Sequence, residues 1–143
     1  GIISSKGVIG IITNVSESYS MGLTILNPRW SVSAKLKKSG YYGSLAWNGL
    51  DYKRVVLNEI PFHVQLTQGD TVVTSGYSSV FPEGILIGTV ETLSRPEGEN
   101  YYQIQVLLSA DFKSVTHVEI IENSKIDEIR NLKRETENAE SGN

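Results

Sequence analysis

Hydrophobic and polar residues alternate along much of the chain. Apolar residues occupy every second position in Trp30–Lys37 and again within Tyr101–Leu108. A period of two is typical of a strand with one buried and one solvated face. Other runs rich in β-forming residues are Val8–Val15, Gly22–Leu26, Ser44–Trp47, Arg54–Leu57, Val64–Leu66, Thr71–Thr74, Ile85–Leu93 and Val115–Ile121. Turn residues separate these runs, which predicts an all-β sandwich or barrel.

Glycines within the predicted strands favour a barrel over a sandwich. They are Gly10, Gly22, Gly43 and Gly88. A glycine in a strand marks a bulge, a bend or a close backbone approach, and small closed barrels need such corners. Segments 7–15 and 84–93 also resemble each other, since both are apolar runs with flanking glycines. We therefore expect two β units, residues 1–60 and 61–122, with a joint at Ile60-Pro61; the alternative is that any two hairpins look this similar.

The composition changes after residue 122. The last part of the chain, 123–143, is crowded with charged residues of both signs and contains no proline. Ile126, Ile129 and Leu132 recur at a spacing of three, which could form a thin helical stripe. We expect a disordered, solvated tail with at most a turn or two of helix. The alternative is a helix that docks on a partner.

Composition narrows the possible chemistry. The 143 residues include no cysteine and only two histidines, so disulfides, thiolate metal sites and cysteine nucleophiles are excluded and a structural zinc is not expected. The net charge of -3 argues against nucleic acid as a partner. No apolar run approaches the ~18 residues of a membrane helix. We expect no metal and no cofactor.

Candidate catalytic groups do not form a recognisable set. The serines in Gly43-Ser44 and Thr74-Ser75-Gly76 do not match the Gly-x-Ser-x-Gly elbow of hydrolases. Glu83 and Glu97 occupy predicted turns, where solvated carboxylates are usual. Aromatic residues on predicted turns are better candidates for function, because such side chains often anchor protein interfaces. The interface candidates are Tyr41, Tyr42, Tyr77 and Phe81, and the alternative is that they cap the open end of a barrel.

The segment 69–90 carries a recognisable motif. It contains a Gly-Asp turn, two hydrophobic residues before Thr-Ser-Gly, a short loop, Phe-Pro-Glu-Gly and an apolar run around a glycine. This order resembles the signature of the MreC family of rod shape-determining proteins, and weaker similarity extends over about residues 7–121. Asn27 and Tyr77 depart from the family pattern. The residues that we expect to be structural in this signature are Gly69, Asp70, Ser75, Gly76, Pro82, Gly84 and Gly88.

The resemblance implies both a fold and a function. It implies two small antiparallel β-barrels, similar to protease barrels but non-catalytic, on the periplasmic side of the bacterial inner membrane. It implies a scaffold for peptidoglycan synthesis whose partners are a transpeptidase penicillin-binding protein and the MreB–MreD shape system. It also implies self-association of the full-length protein, and a membrane anchor, coiled coil and first strands that would precede Gly1. A hydrolase with a protease-like barrel or a peptidoglycan-binding module is the alternative.

Overall fold

The computed structural model describes residues 1–78, 80–122 and 126–142. Within these ranges the chain forms ten strands and one helix. The strands are β1 (Ile2–Ser4), β2 (Gly7–Val15), β3 (Ser20–Thr24), β4 (Ser31–Leu36), β5 (Tyr42–Ala46), β6 (Arg54–Pro61), β7 (Thr71–Thr74), β8 (Leu86–Ser94), β9 (Tyr101–Leu108) and β10 (Glu119–Ile120). The helix is α1 (Ile126–Ser141).

Six strands close into a barrel in the order β4-β5-β6-β9-β8-β7, and every neighbouring pair is antiparallel. Alternate residues point inwards, as the period of two predicts. On β4 the side chains of Val32, Ala34 and Leu36 are buried, and on β9 those of Ile104 and Val106 are buried. The predicted all-β class is confirmed, because strands account for nearly all regular structure and one barrel is closed.

The remaining four strands form a second sheet in the order β10-β1-β2-β3. Its inner end packs on the barrel, so Val8, Ile9 and Ile25 are buried. Further along, the β2–β3 hairpin projects outwards, and every residue of β3 is exposed. The predicted strand at 115–121 is shorter than expected, because only the two residues of β10 pair with β1.

The barrel draws on both predicted units, which corrects the division between 1–60 and 61–122. Strand β6 continues through Pro61 and pairs with β5 on one side and β9 on the other. Pro61 is the last residue of the strand, where the absence of an amide hydrogen is tolerated. The strand bends instead at a bulge between Leu57 and Ile60, where Glu59 adopts φ +72°.

The C-terminal segment also differs from the prediction. Where a disordered tail was expected over 123–143, residues 126–141 form α1. Neither glycine nor proline interrupts this segment, which contains many good helix formers, and Gly142 follows its last residue. Leu132 is exposed. The side chains of Ile126 and Ile129 lie outside the described part, so the alternative of a docked helix stays a prediction.

Candidate functional site

The loop between β7 and β8 is closed by one buried hydroxyl. Thr74 Oγ1 donates a hydrogen bond to the carbonyl of Pro82 at 2.7 Å and accepts one from the amide of Ile85 at 2.9 Å. The amide of Gly84 donates to the carbonyl of Thr74 at 3.0 Å. Both ends of the loop are therefore held together by Thr74, and the buried hydroxyl of this residue has hydrogen-bond partners.

Ser75 ties the start of this loop to the barrel wall. Its hydroxyl donates to Ser33 Oγ at 2.7 Å, and its amide donates to the carbonyl of Ser33 at 3.1 Å. The amide of Tyr77 donates back to Ser75 Oγ at 3.2 Å. Between them Gly76 has φ +81°, and a Cβ there would lie 2.8 Å from the Cβ of Glu83. The chain can pass this point only with glycine, so Tyr77 projects from a fixed backbone.

Of the other residues of the motif, three lie in turns and one lies within a strand. Gly69 has φ +93° and Gly84 has φ +89°, both in the region that favours glycine. Asp70 accepts hydrogen bonds from the amide and the hydroxyl of Thr67 at 3.0 and 3.2 Å. Gly88 lies inside β8, where its backbone approaches β9 closely.

Two of the four interface candidates lie together on the outside of the barrel. Tyr42 and Tyr77 are 56% and 66% exposed, and their ring centroids are 4.7 Å apart with the planes tilted by 54°. Lys35 pairs across the strands with Tyr42 and forms an ion pair with Glu83 in the loop. We call Tyr42, Tyr77, Lys35 and Glu83 the tyrosine platform. It combines exposed aromatic area with charge on a rigid support.

The other two candidates lie elsewhere. Phe81 is 1% exposed and belongs to the hydrophobic core, so its selection as an interface residue is corrected: the loop folds back and inserts this ring into the interior. Tyr41 is half-exposed and pairs with His63, with 3.1 Å between the hydroxyl and Nε2 and 5.4 Å between the ring centroids.

An ionic cluster that the sequence did not reveal joins strands β6 and β8, which contribute no residue to the tyrosine platform. Arg54 on β6 reaches across β9 to Glu91 on β8, with Nε and Nη2 at 2.6 and 2.9 Å from the two carboxylate oxygens. Its Nη1 lies 2.5 Å from Asp51 Oδ2. Glu91 stands at a bulge between Val90 and Thr92, and bulges commonly redirect side chains.

This cluster shifts the pKa values of its members. The hydrogen bonds from Arg54 lower the pKa of Glu91, and the hydrogen bond from the amide of Lys53, followed by that from Arg54, lowers the pKa of Asp51. The two carboxylates in turn raise the pKa of Arg54. General acid catalysis by a carboxyl group near neutral pH needs a raised pKa, so this pair has the wrong electrostatics for that role.

The cluster leads to a pH-dependent prediction. Because the folded-state pKa values of Asp51 and Glu91 lie below their unfolded values of about 4, their stabilising effect is present above pH ~4 and is lost as pH falls through the folded values. We expect Arg54→Gln to lower the urea midpoint at pH 7, and the gap from wild type to narrow below pH 4. Arg29→Gln, which removes the same charge from an exposed turn, is the control. A gap independent of pH would contradict the assignment.

Among the described residues, no group of three or more His, Asp or Glu side chains is placed to hold a metal ion. In the same part of the chain, no helix has the length and apolar character needed to cross a bilayer. The two histidines have hydroxyl partners: His63 Nε2 is hydrogen-bonded to the Tyr41 hydroxyl, and His117 Nδ1 lies 3.0 Å from the Thr116 hydroxyl.

The fold and its surface define a small β-barrel module that presents two exposed tyrosines, one on a strand and one on a rigid loop. Comparison with known proteins gives the family. The family model described as "Rod shape-determining protein MreC, barrel core" matches residues 1–122. The chain therefore belongs to the MreC family of rod shape-determining proteins.

Individual relatives agree with this assignment. The cell shape-determining protein MreC of Listeria monocytogenes is 28% identical over 126 residues, which cover 86% of this chain and 43% of the relative. A solved structure of MreC from the same species has a TM-score of 0.80 at 26% identity, covering 86% of this chain and 60% of that chain. The chain thus spans less than half the length of the curated relatives that it matches.

Two further solved structures share the fold. One is a complex between penicillin-binding protein PBP2 and MreC from Helicobacter pylori, with a TM-score of 0.66 at 20% identity, covering 82% of this chain and 73% of that chain. The other is the major periplasmic domain of the cell shape-determining filament MreC. It has a TM-score of 0.70 at 22% identity, covering 86% of this chain and 76% of that chain. At these identities the likeness shows the fold alone.

Proposed function

We propose that this chain is a non-catalytic scaffold on the periplasmic side of the inner membrane that organises peptidoglycan-synthesising enzymes during cell elongation. Membership of a rod shape-determining family supports a role in cell shape. The lowered pKa values of Asp51 and Glu91 make this carboxylate pair unsuited to general acid catalysis. Its partners would be a transpeptidase penicillin-binding protein and the MreB–MreD system, with self-association in the full-length protein.

The observation that carries this proposal is the tyrosine platform. Two exposed aromatic rings in mutual contact cost little side-chain entropy on binding, because each has few rotatable bonds and the backbone below is already fixed. Tyr77 is held by the Ser75 and Thr74 hydrogen bonds, and Tyr42 by strand pairing. Aromatic anchors are typical of the energetic centre of protein interfaces.

The neighbourhood of the platform leaves room for a protein partner. The adjacent outward positions on β4 and β5 are small, with Ser33 opposite Ser44 and Ser31 opposite Ala46. Side chains of this size leave the tyrosine rings standing above the sheet. A partner can therefore approach the barrel wall closely and enclose both rings. The penicillin-binding protein in the Helicobacter pylori complex makes a transpeptidase the first partner to test.

We expect the double variant Tyr42→Ser/Tyr77→Ser to weaken capture of the transpeptidase by about tenfold or more, with little loss of stability. Each ring is more than half exposed, so its removal leaves no core cavity, whereas hot-spot residues at interfaces each contribute about 2 kcal/mol or more. The measurement is binding of the purified periplasmic penicillin-binding protein to immobilised chain, with thermal unfolding recorded for the same samples.

The matched control is Tyr19→Ser/Tyr101→Ser. It removes two tyrosines of comparable exposure from the β2–β3 hairpin and from the start of β9. The control should bind as wild type does. Equal loss of capture in both double variants, or unchanged capture in the platform variant, would refute the platform as the binding surface.

A further inference from the structure

A second surface lies at the end of the barrel, apart from the tyrosine platform. Between the turn that follows β6, the residue after β8 and the turn that follows β4 there is an open groove of about 480 Å³. This volume lies within the range of about 300–1,000 Å³ that is usual for ligand sites. Residues that matter for its chemistry are Lys38, Phe62, His63, Leu66, Arg95 and Tyr102.

Arg95 is held in position by two aromatic rings. Its Cζ lies 5.0 Å from the ring centroid of Phe62 and 5.2 Å from that of Tyr102. Its Nη2 donates to the Tyr102 hydroxyl at 3.0 Å, and that hydroxyl donates to the Phe62 carbonyl at 3.3 Å. The centroids of these two rings lie 5.1 Å apart, and one ring meets the other edge-on. The guanidinium is therefore oriented before any ligand arrives.

The donors of Arg95 are mostly unused. A guanidinium has five N–H donors, and the structure assigns Arg95 one hydrogen bond, to Tyr102. Among the described residues, the ion pairs involve Lys35 and Arg54 but neither Arg95 nor Lys38. Cation–π contact with two rings leaves the edge of the guanidinium open, and that edge matches a carboxylate in a bidentate manner.

The groove carries a net positive charge, because the two cations Lys38 and Arg95 outnumber its one carboxylate, Asp70. Both oxygens of Asp70 accept hydrogen bonds from Thr67, one from the amide and one from the hydroxyl. Lys38 and Arg95 supply this positive charge, and His63 also lines the groove. Charge complementarity therefore calls for an anionic ligand.

The apolar surface of the groove decides which anion fits. Phe62, Leu66 and Tyr102 lie beside the cationic groups and are only partly buried. An inorganic anion would leave this surface in water, whereas an acidic residue next to an aromatic or aliphatic residue would cover it. We propose that the groove binds a short peptide segment that carries a carboxylate beside an apolar side chain, with Arg95 as the recognising residue.

The test uses the whole chain labelled with nitrogen-15 and the blocked peptide acetyl-Phe-Glu-Phe-Glu-amide. We expect saturable shifts in the Arg95 Nε–Hε signal and in the amides of residues 62–67. The peptide acetyl-Phe-Gln-Phe-Gln-amide should bind about tenfold more weakly or worse, because a neutral amide loses the charge-assisted pair. Inorganic phosphate should likewise bind more weakly than the acidic peptide.

Variants then assign the contact. Arg95→Gln should abolish peptide binding, and Arg95→Lys should restore only part of it, because lysine keeps the charge but not the planar fork. Lys38→Gln, on a separate exposed side chain of the groove, should weaken binding without touching the aromatic clamp. Arg29→Gln is the charge-matched control and should bind normally.

Three results would overturn the proposal. They are an absence of saturable shifts, unchanged binding by Arg95→Gln, and phosphate binding as tight as that of the peptide, which would mark a simple anion site. The Tyr42→Ser/Tyr77→Ser variant should bind the peptide as wild type does. Failure of the groove and failure of the platform can therefore be told apart.

Discussion

Replacement of Phe81 by alanine is expected to lower the free energy of unfolding by about 3–5 kcal/mol, the usual cost of deleting a buried phenylalanine ring. The ring is 1% exposed and packs in the core. It also lies against Gly1, whose backbone is hydrogen-bonded in both directions to Ile121 at 2.8 and 2.9 Å. The ring therefore joins the β7–β8 loop to the neighbouring sheet, and its loss should loosen both.

Urea unfolding monitored by tryptophan fluorescence measures this effect. Phe112→Ala is the matched control, since it deletes the same ring at a partly buried position and should cost less. Phe81→Leu should retain most of the stability and all of the partner capture, because the residue does not face solvent. Loss of capture by Phe81→Leu at normal stability would return this residue to the list of interface candidates.

The placement of Phe81 shows where sequence reasoning ends. An aromatic residue in a loop without a hydrophobic period has no local signal that separates an interface anchor from a core side chain. Tyr77 and Phe81 therefore looked equivalent in the sequence. The Thr74 and Ser75 hydrogen bonds fold the loop so that one ring points outwards and the other inwards. These bonds involve β4 and the far end of the loop, so they depend on tertiary structure.

Strands were predictable because their signal is local. The alternation in 30–37 and 101–108 gives both the element and its buried face, and the structure confirms it. The order of strands around the barrel is not local. Arg54 and Glu91 are 37 residues apart, and they meet only because β9 lies between β6 and β8 and because a bulge redirects Glu91.

The predicted joint at Ile60-Pro61 was wrong because the meaning of a proline depends on its position in the strand. Proline disfavours a central ladder position, but at the last residue of a strand it costs no hydrogen bond, so it did not mark a boundary between units. In the tail, the charge pattern predicted solvation, which fits the exposure of Leu132. The run without glycine or proline was the better predictor of backbone structure, since α1 covers most of it.

Gly88 lies in the middle of an apolar run, a position that predicts a close approach of two backbones. A Cβ built on Gly88 would overlap the carbonyl oxygen of Leu107 and lie 3.1 Å from the Cα of Leu108. Both are backbone atoms of β9, which pairs with β8 here. A flexible side chain could move aside, but this carbonyl belongs to a strand held in the barrel on both sides.

We therefore expect Gly88→Val to lower the free energy of unfolding by about 1–3 kcal/mol or more, as overpacking does. Gly88→Ala separates the causes: because the first carbon already overlaps the carbonyl, alanine should produce most of the loss. Thr89→Val is the control, since it places the same β-branched residue at the adjacent position on the other face of β8. Urea midpoints measure all three. If alanine is tolerated at 88 and valine is not, the obstruction lies beyond the Cβ, and the close approach of the two backbones is not what requires glycine.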